Sequence, residues 1–425
     1  MLLRERVYEK ALQAARPVIG LAAPLNAQVR RAFAGREAAV RVLAEWARHR
    51  RADSPLVWVH APSVGESLMA QAIIEDVKRL VPGVQIAFTH FSPSAERIRE
   101  RIGADVSAYL PWDIRSDIEP VLDALRPSVV AFVRTEIWPV LVDTARQRQV
   151  RTCLVNGVLS AHSSRLRGPS RFMLSPSYAR LDAVGAINTA AAERFERLGA
   201  RHDIVSVTGD ARFDQVWRRV QRIDPNVPLL QRIRDEGRYT IIAGSTWPSD
   251  DERLVPALAD VLRDTRGRAI VAPHQPDAKH ISELEETLTK AQLRFVRLAD
   301  VERGERIEDV VIVDRVGVLA DLYAIADVAY VGGGFHSAGL HSIVEPAGLG
   351  VPVVFGPGHA NAAEAAELLA AGGALEAADA GSLVNALRAL QDRETRARTG
   401  DAARMFVEIR LGAAGRNAAL IRSLI

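Results

Sequence analysis

A run of three glycines at residues 332–334 follows an apolar strand predicted at residues 327–331. Glycine lets the backbone approach a ligand closely, and a helix predicted from Gly339 would direct its unpaired N–H groups and positive dipole end at an anion. Glu345, one turn into that helix, could accept hydrogen bonds from both hydroxyls of a ribose. We therefore favour a nucleotide site, with an ordinary strand-to-helix turn as the alternative.

Three other loops should lie around that ligand, because the ends of parallel strands meet at one edge of a sheet. The loop at residues 356–359 follows the strand predicted at residues 352–355 and would form a second wall of the same pocket. Polar or ring-bearing residues follow two further strands, namely Ser245, Thr246, Pro273 and His274.

Two acids follow strands in the first half of the chain. Glu66 comes after the strand predicted at residues 56–61 and falls in the first turn of a helix. A carboxylate there is oriented as a general base for a substrate hydroxyl must be, but the same position is also a common helix cap, and the residues leave both open. Glu136 could bind sugar hydroxyls or pair with Arg134.

Metal chemistry has little support in the sequence. His274, His336, His341 and His359 lack the dense spacing of a zinc site, and no Asp-x-Asp motif occurs. We expect neither a metal nor a resident cofactor. The single cysteine, Cys153, lies in an apolar strand and is predicted to be core.

The elements that must position these residues form two α/β series. We predict a basic helical arm at residues 1–51, a Rossmann-like domain at 52–220, a linker at 221–228 and a second Rossmann-like domain at 229–425. The final helix could return to the first domain. The predicted fold class is thus α/β, with two doubly wound domains facing a central cleft.

The charge distribution is uneven. The net charge is +3, yet residues 1–51 contain eleven Lys or Arg against four Glu. Helical spacing of the apolar residues predicts either a packed helix with solvated arginines or an amphipathic helix on anionic lipid. The arginines concerned are Arg30, Arg31, Arg36, Arg41, Arg48, Arg50 and Arg51.

Several classes of protein are disfavoured. The arm matches no nucleic-acid module and has too few aromatic residues for base stacking. No apolar run approaches the roughly 18 residues of a membrane span, and no secretory cleavage pattern occurs, so we expect the protein to stay in the cytoplasm.

The order of motifs resembles that of the 3-deoxy-D-manno-octulosonic acid (Kdo) transferases over most of the chain after the arm. The matching segments are Ser63-Val64-Gly65-Glu66, Thr135 to Pro139, Gly209 to Asp214, Gly332 to Glu345, and Gly356-Pro357 with Asn361. Three positions depart from the family pattern. His274 stands in place of an arginine, Ser342 in place of an asparagine, and Arg134 in place of an acid.

The resemblance implies a GT-B fold and a metal-independent, inverting transfer of Kdo from CMP-Kdo to a lipid A precursor. It also implies that Glu66 is the base, and places the enzyme peripherally on the anionic cytoplasmic face of the inner membrane. Three alternatives remain open: a GT-B transferase using a UDP-sugar, a sugar-nucleotide epimerase, and a non-catalytic relative.

The residues predicted to form the site fall into two sets. The catalytic candidates are Glu66 and Glu136. The substrate-binding candidates are Ser63, Gly65, Ser245, Thr246, Pro273, His274, Gly332, Gly333, Gly334, Gly339, His341, Ser342, Glu345 and Asn361.

Overall fold

The computed structural model describes residues 3–234, 237–264 and 267–425. They form two compact units, which we call unit 1 and unit 2. Unit 1 extends to Gln215 and includes Arg410–Ile425, and unit 2 comprises Val216–Ile409. The sequence had placed the division at residues 221–228 instead.

Unit 1 contains a seven-stranded sheet in which every neighbouring pair is parallel. The strand order is β3-β2-β1-β4-β5-β6-β7. The central strands are buried on both faces, which suits their apolar sequences. The strands are β1 (Leu56–His60), β2 (Gln85–His90), β3 (Val106–Tyr109), β4 (Val129–Val133), β5 (Arg151–Gly157), β6 (Ala183–Ala186) and β7 (Val205–Val207).

Eight helices accompany these strands in the described part of the chain, and the last of them crosses the division between the units. They are α1 (Leu3–Ala22), α2 (Ala27–Ala47), α3 (Val64–Leu80), α4 (Arg115–Leu125), α5 (Pro139–Gln147), α6 (Gly168–Ala179), α7 (Thr189–Leu198) and α8 (Ala211–Val220). The predicted arm corresponds to α1 and α2. Helix α2 packs against α4 and β3, so it belongs to the body of unit 1.

Unit 2 repeats the design with a second parallel sheet, in the order β10-β11-β9-β8-β12-β13-β14. The strands are β8 (Thr240–Thr246), β9 (Arg268–Pro273), β10 (Phe295–Arg297), β11 (Val310–Ile312), β12 (Val328–Val331), β13 (Val353–Phe355) and β14 (Ala374–Glu376). The helices are α9 (Pro228–Ile233), α10 (Pro248–Asp264), α11 (Ala278–Lys290), α12 (Leu298–Arg303), α13 (Leu319–Leu322), α14 (Val344–Gly348), α15 (Ala363–Ala370), α16 (Ala380–Ala389) and α17 (Arg393–Glu408).

The final helix, α18 (Ala413–Arg422), lies in unit 1. It packs against α3, and its Ala414, Ala418 and Ile421 are buried in the same apolar core as β1 and β2. Asp214 accepts hydrogen bonds from the backbone N–H groups of Gly412 and Ala414 at the start of this helix. The predicted fold class, two Rossmann-like doubly wound domains of GT-B type, is confirmed.

Candidate active site

Glu66 caps its own helix while keeping one carboxylate oxygen open. Helix α3 begins directly after Ser63, and the two residues form a capping box. The Ser63 N–H donates to Glu66 Oε2 at 3.1 Å, and the Ser63 hydroxyl donates to the same oxygen. Within the described residues, Glu66 Oε1 makes no hydrogen bond. The cap therefore orients the carboxylate without occupying the oxygen that a general base would use.

Glu136 lies close enough to Glu66 for their charges to interact. Burial raises the pKa of Glu136, the Arg165 cation opposes the shift, and the Glu66 carboxylate adds to it. Glu136 forms an ion pair with Arg165 at 3.5 Å. The suggested pairing with Arg134 is wrong, because Arg134, the residue after β4, adopts the left-handed conformation (φ 79°) and contacts Asp210 at 3.8 Å.

Arg36, which the sequence analysis predicted to be solvated, is buried in the same unit. The expectation that the arm's arginines are solvated is wrong for Arg36, whose side chain lies against Phe91, Trp112 and Trp138. The sequence feature that could have indicated this burial is Gly35, a glycine in the middle of α2 directly before Arg36. A Cβ at Gly35 would come within 2.2 Å of the Tyr109 ring, so only glycine lets α2 pack this closely.

The segment of unit 2 that follows β12 and begins with the three glycines at residues 332–334, here called the glycine loop, does not lead into a helix where one was predicted. No helix begins near Gly339, which turns in the left-handed conformation (φ 82°); helix α14 starts at Val344 and has five residues. A Cβ at Gly339 would meet Asn361 Oδ1 at 2.3 Å, and a Cβ at Gly334 would meet the Gly356 backbone nitrogen at 2.5 Å. The glycines therefore allow neighbouring loops to pack backbone against backbone.

Asp250 holds the glycine loop from inside. This fully buried aspartate accepts hydrogen bonds from the backbone N–H groups of Gly333 at 2.8 Å, Phe335 at 3.4 Å and Trp247 at 2.9 Å. The Tyr330 hydroxyl donates to it at 2.8 Å. Part of the N–H array that could face an anion is thus bound by a protein carboxylate, and the sequence offered no motif that marked Asp250.

Three of the four histidines considered for a metal stack with Trp247. His336 and His274 stack on the indole with ring centroids 4.0 Å and 4.8 Å away, at interplanar angles of 3° and 29°. Trp247 Nε1 donates to His341 Nε2 at 3.1 Å. Burial and the neighbouring His274 lower the pKa of His341 to about 4. The fourth histidine, His359, is hydrogen-bonded to Glu376 at 2.8 Å.

Glu345 and Asn361 both have protein partners. Glu345 forms an ion pair with Arg219 at 3.1 Å, and burial raises its pKa. Asn361 joins two loops, since Leu340 N–H donates to its Oδ1 at 3.0 Å and its Nδ2 donates to Leu340 O at 2.9 Å. Ser342, which replaces the asparagine of the family pattern, is exposed.

The remaining candidates lie at the predicted strand ends. Ser245 and Thr246 are the last residues of β8, Pro273 is the last residue of β9, and Gly65 is the second residue of α3. Ser245 is half-buried and adopts the left-handed conformation (φ 57°), whereas Thr246 is buried.

The described residues contain neither a cluster of metal ligands nor a membrane-spanning helix. Among residues 3–234, 237–264 and 267–425, no three His, Cys, Asp or Glu side chains are grouped to hold a metal ion. In the same ranges no helix combines the length and the apolar character needed to cross a bilayer.

Comparison with known proteins identifies the family. The family model of the 3-deoxy-D-manno-octulosonic-acid transferases (kdotransferases) matches residues 31–215, all within unit 1. The 3-deoxy-D-manno-octulosonic acid transferase of Bordetella pertussis is 31% identical over 384 residues, which cover 86% of this chain and 87% of that protein. The chain belongs to the Kdo transferase family. The resemblance read from the motifs is therefore confirmed.

A second Kdo transferase is also similar in sequence, and a protein outside the family has a similar fold. The family member of Haemophilus influenzae is 27% identical over 358 residues, covering 81% of this chain and 82% of its own. A putative UDP-N-acetylglucosamine 2-epimerase from Listeria monocytogenes superposes with a TM-score of 0.60 at 14% identity, over 87% of this chain and 95% of its own. That likeness shows the shared two-domain fold alone, whereas the family match identifies this chain as a glycosyltransferase.

Proposed function

We propose that this Kdo transferase moves Kdo from CMP-Kdo to a lipid A precursor with inversion, in synthesis of the lipopolysaccharide inner core. The observation that carries the mechanism is the Glu66 carboxylate, with one oxygen held by its helix cap and the other open beside Glu136. Family membership supplies the sugar. CMP-Kdo is a co-substrate, and we propose that neither a metal nor a resident cofactor takes part.

Unit 1 supplies the base for the acceptor. Glu66 Oε1 would take the proton of the attacking hydroxyl, while the bonds from Ser63 to Oε2 keep the carboxylate from rotating away. Glu136 is half-buried, and its raised pKa follows first from burial. We propose that Glu136 binds acceptor hydroxyls next to Glu66. Proximity of two carboxylates also favours retention of the proton once it has been transferred.

Unit 2 supplies the groups that would bind the CMP moiety. The loops after β8, β9 and β12 bring the Trp247 ring stack and the glycine loop together within this unit. Glu345, held by Arg219, would accept bonds from the ribose hydroxyls. The glycine loop does not act as a helix N-terminus, so its remaining open N–H groups and the imidazoles are the proposed donors to the single phosphate.

Helix α1 supports a peripheral position on a membrane. Its polar side is fastened to unit 1, since Arg180 pairs with the buried Glu5 and the Arg115 N–H donates to Glu9 at 2.7 Å. Its apolar side chains face outward, with Leu21 82% exposed. The large exposed apolar residues of α1, of the turn that follows it and of α6 are Leu3, Val7, Val18, Ile19, Leu21, Leu25 and Phe172.

An amphipathic helix with its apolar side outward is what an interfacial helix requires. We propose that α1 lies in the anionic cytoplasmic face of the inner membrane, where the basic residues of the arm meet anionic headgroups. Flotation with vesicles containing anionic lipid should recover the wild-type protein, and Leu21→Gln combined with Leu25→Gln should reduce recovery. Equal recovery of the two proteins would contradict the proposal.

The reaction is tested with purified protein, CMP-Kdo generated in situ and a tetraacylated lipid A precursor. A mass increase of one Kdo or more that disappears in Glu66→Ala supports both the transfer and the base. CMP binding without a product would indicate a different sugar or acceptor. Competition by UDP in place of CMP would favour a UDP-sugar transferase, and loss of both product and nucleotide binding would refute the proposal.

A further inference from the structure

Arg36 is a buried cation without an ion-pair partner. Only 7% of the residue is exposed, and its guanidinium makes no hydrogen bond or ion pair with any residue in the described ranges. Burial lowers its pKa to about 10, so the group remains charged at neutral pH. An unpaired buried charge is costly, and natural proteins pair such groups or reserve them for function.

The surroundings of Arg36 offset this cost without satisfying its N–H groups. The guanidinium carbon lies 3.8 Å from the centroid of the Phe91 ring, 4.9 Å from that of Trp112 and 5.9 Å from that of Trp138. Aromatic faces attract a cation through their quadrupole but accept no conventional hydrogen bond. Arg36 Nη2 is accordingly buried with no acceptor.

The nearby carboxylates are engaged elsewhere. Asp113 accepts hydrogen bonds from the backbone N–H groups of Val140 at 3.0 Å and Leu141 at 2.8 Å. Glu136 forms its ion pair with Arg165. Both acids stabilise the Arg36 charge at longer range, but neither comes within ion-pair distance of its guanidinium.

Two more buried nitrogens near Arg36, Trp138 Nε1 and His60 Nε2, have no hydrogen-bond partner in the part of the chain that the structure describes. The Trp138 and His60 rings meet edge to face with centroids 6.1 Å apart. Thr89 Oγ1 accepts from Trp58 Nε1 at 2.9 Å and lies 3.1 Å from His60 Nδ1. Two donors without acceptors, Arg36 Nη2 and Trp138 Nε1, therefore cluster at one place, with the unpartnered His60 Nε2 beside them.

This cluster lies where a parallel sheet binds its ligands. His60 ends β1, Phe91 follows β2, and Trp138 follows β4, so the donors are at the carboxyl edge of the sheet. Glu66 and Glu136 follow the same two strands, β1 and β4, as His60 and Trp138. A set of unsatisfied donors beside a general base fits a substrate oxygen that carries negative charge.

We propose that Arg36 and Trp138 bind an oxyanion of one of the substrates during Kdo transfer, an assignment that rests on the proposed function. The oxyanion is either a phosphate of the lipid acceptor or the carboxylate of Kdo. Both present oxygens that a guanidinium binds with two parallel hydrogen bonds, and the aromatic rings hold the guanidinium in place for them.

Steady-state kinetics distinguish the two sources. Arg36→Gln is compared with wild type and with Arg263→Gln, which alters a 70% exposed arginine outside the arm. Loss of a charged hydrogen bond should raise one KM about 10- to 100-fold. A phosphate ligand predicts a higher KM for the acceptor and no difference between the proteins on a dephosphorylated acceptor. A carboxylate ligand predicts a higher KM for CMP-Kdo with unchanged CMP affinity.

Two further measurements keep the proposal open to refutation. Trp138→Phe keeps an aromatic ring but removes the Nε1–H, and it should raise the same KM about 2- to 10-fold even if Arg36→Gln fails to fold. For the phosphate source, binding of inorganic phosphate to the full-length protein, followed by calorimetry, should weaken at least tenfold in Arg36→Gln. Equal phosphate binding by the two proteins would contradict that source, and the whole proposal is overturned if both KM values stay unchanged in Arg36→Gln and in Trp138→Phe.

Discussion

Both units place polar residues at the carboxyl edge of a parallel sheet, but the hydrogen-bond partners of these residues differ between the units. In unit 1 the groups are left open: Glu66 keeps one free oxygen, and Arg36 and Trp138 have buried donors without acceptors. In unit 2 most of the groups discussed above bind one another, with Asp250 on the glycine loop and Arg219 on Glu345, although Thr246 Oγ1 is buried without a hydrogen-bond partner among the described residues. The fold sets where a site lies, and the local partners decide whether it is open or internally satisfied.

The difference in hydrogen-bond partners should affect the stability of the two units in different ways. Buried polar groups without partners in unit 1 should reduce stability in the absence of substrate, and under the proposed function they gain partners on binding. The hydrogen bonds of Asp250 in unit 2 hold the glycine loop in place, so substitution of Asp250 should first affect folding.

The largest effect is expected for Glu66→Gln. Glutamine at this position still accepts the Ser63 N–H, so the cap survives, but it cannot take a proton. The transfer rate should fall about 10²- to 10⁴-fold while the free energy of unfolding changes by less than about 1 kcal/mol. Rates come from mass spectrometry and stability from urea unfolding. An active but destabilised variant would leave Glu66 with a capping role only.

Next is Asp250→Ala in unit 2, which removes one acceptor from several buried donors. The free energy of unfolding should fall by about 3 to 5 kcal/mol, because the Gly333 N–H, the Trp247 N–H and the Tyr330 hydroxyl lose their partner together. Urea unfolding measures the change. The matched control is Asp260→Ala, which alters a largely exposed acid of the same helix. Equal stabilities of the two variants would contradict the internal role of Asp250.

A pair of glycine substitutions compares the units directly. Gly334→Ala places a Cβ 2.5 Å from the Gly356 backbone and should cost about 1 to 3 kcal/mol. Gly65→Ala has no atom nearer than the Ser63 hydroxyl oxygen at 3.9 Å, and in a helix it should stabilise by up to about 1 kcal/mol. Thermal and urea unfolding give both values. If Gly65→Ala destabilises, the open space at this position has been misassigned.

The smallest effect concerns acid. Burial, and then the charge of Arg36, lower the pKa of His60 to about 3, so this histidine stays neutral in the fold while the unfolded chain binds a proton near its usual 6.5. Its contribution to stability is present above pH 6.5 and is lost as the pH falls toward 3. At pH 5 the loss is about 2 kcal/mol. Urea unfolding at pH 7.5 and pH 5 measures the change. Between these two pH values, the free energy of unfolding of His60→Asn should fall by about 2 kcal/mol less than that of wild type. An equal fall in the two proteins would contradict the assignment.

Much of the architecture could be read from residue patterns. Apolar strands alternating with helices predicted two parallel sheets, because strands buried on both faces need continuous apolar residues. The helix at Gly339 failed for a local reason. Glycine at φ 82° turns the chain there to pack on Asn361, and a pattern of glycines does not distinguish a loop that packs on a neighbouring loop from one that opens a helix.

Only part of the site could be predicted from the sequence, because only part of it is marked by a local motif. Glu66 was recognisable because a capping motif after a strand has a local signature. Arg36 was not, since its burial depends on Gly35 meeting Tyr109 and on aromatic residues from three different strand ends. Asp250 carried no motif that indicated its role in the glycine loop either, because Tyr330 and Gly333, which it binds there, lie about 80 residues further along the chain.

The sequence by itself determined the fold class, the family, and the positions of Glu66 and the glycine loop, because these depend on periodicity and on short ordered motifs. Tertiary structure alone decided which polar groups are satisfied. Asp250 closes the glycine loop, while the donors of Arg36 and Trp138 stay without acceptors. Hydrogen-bond satisfaction depends on distances between residues remote in sequence, and no local pattern specifies those distances.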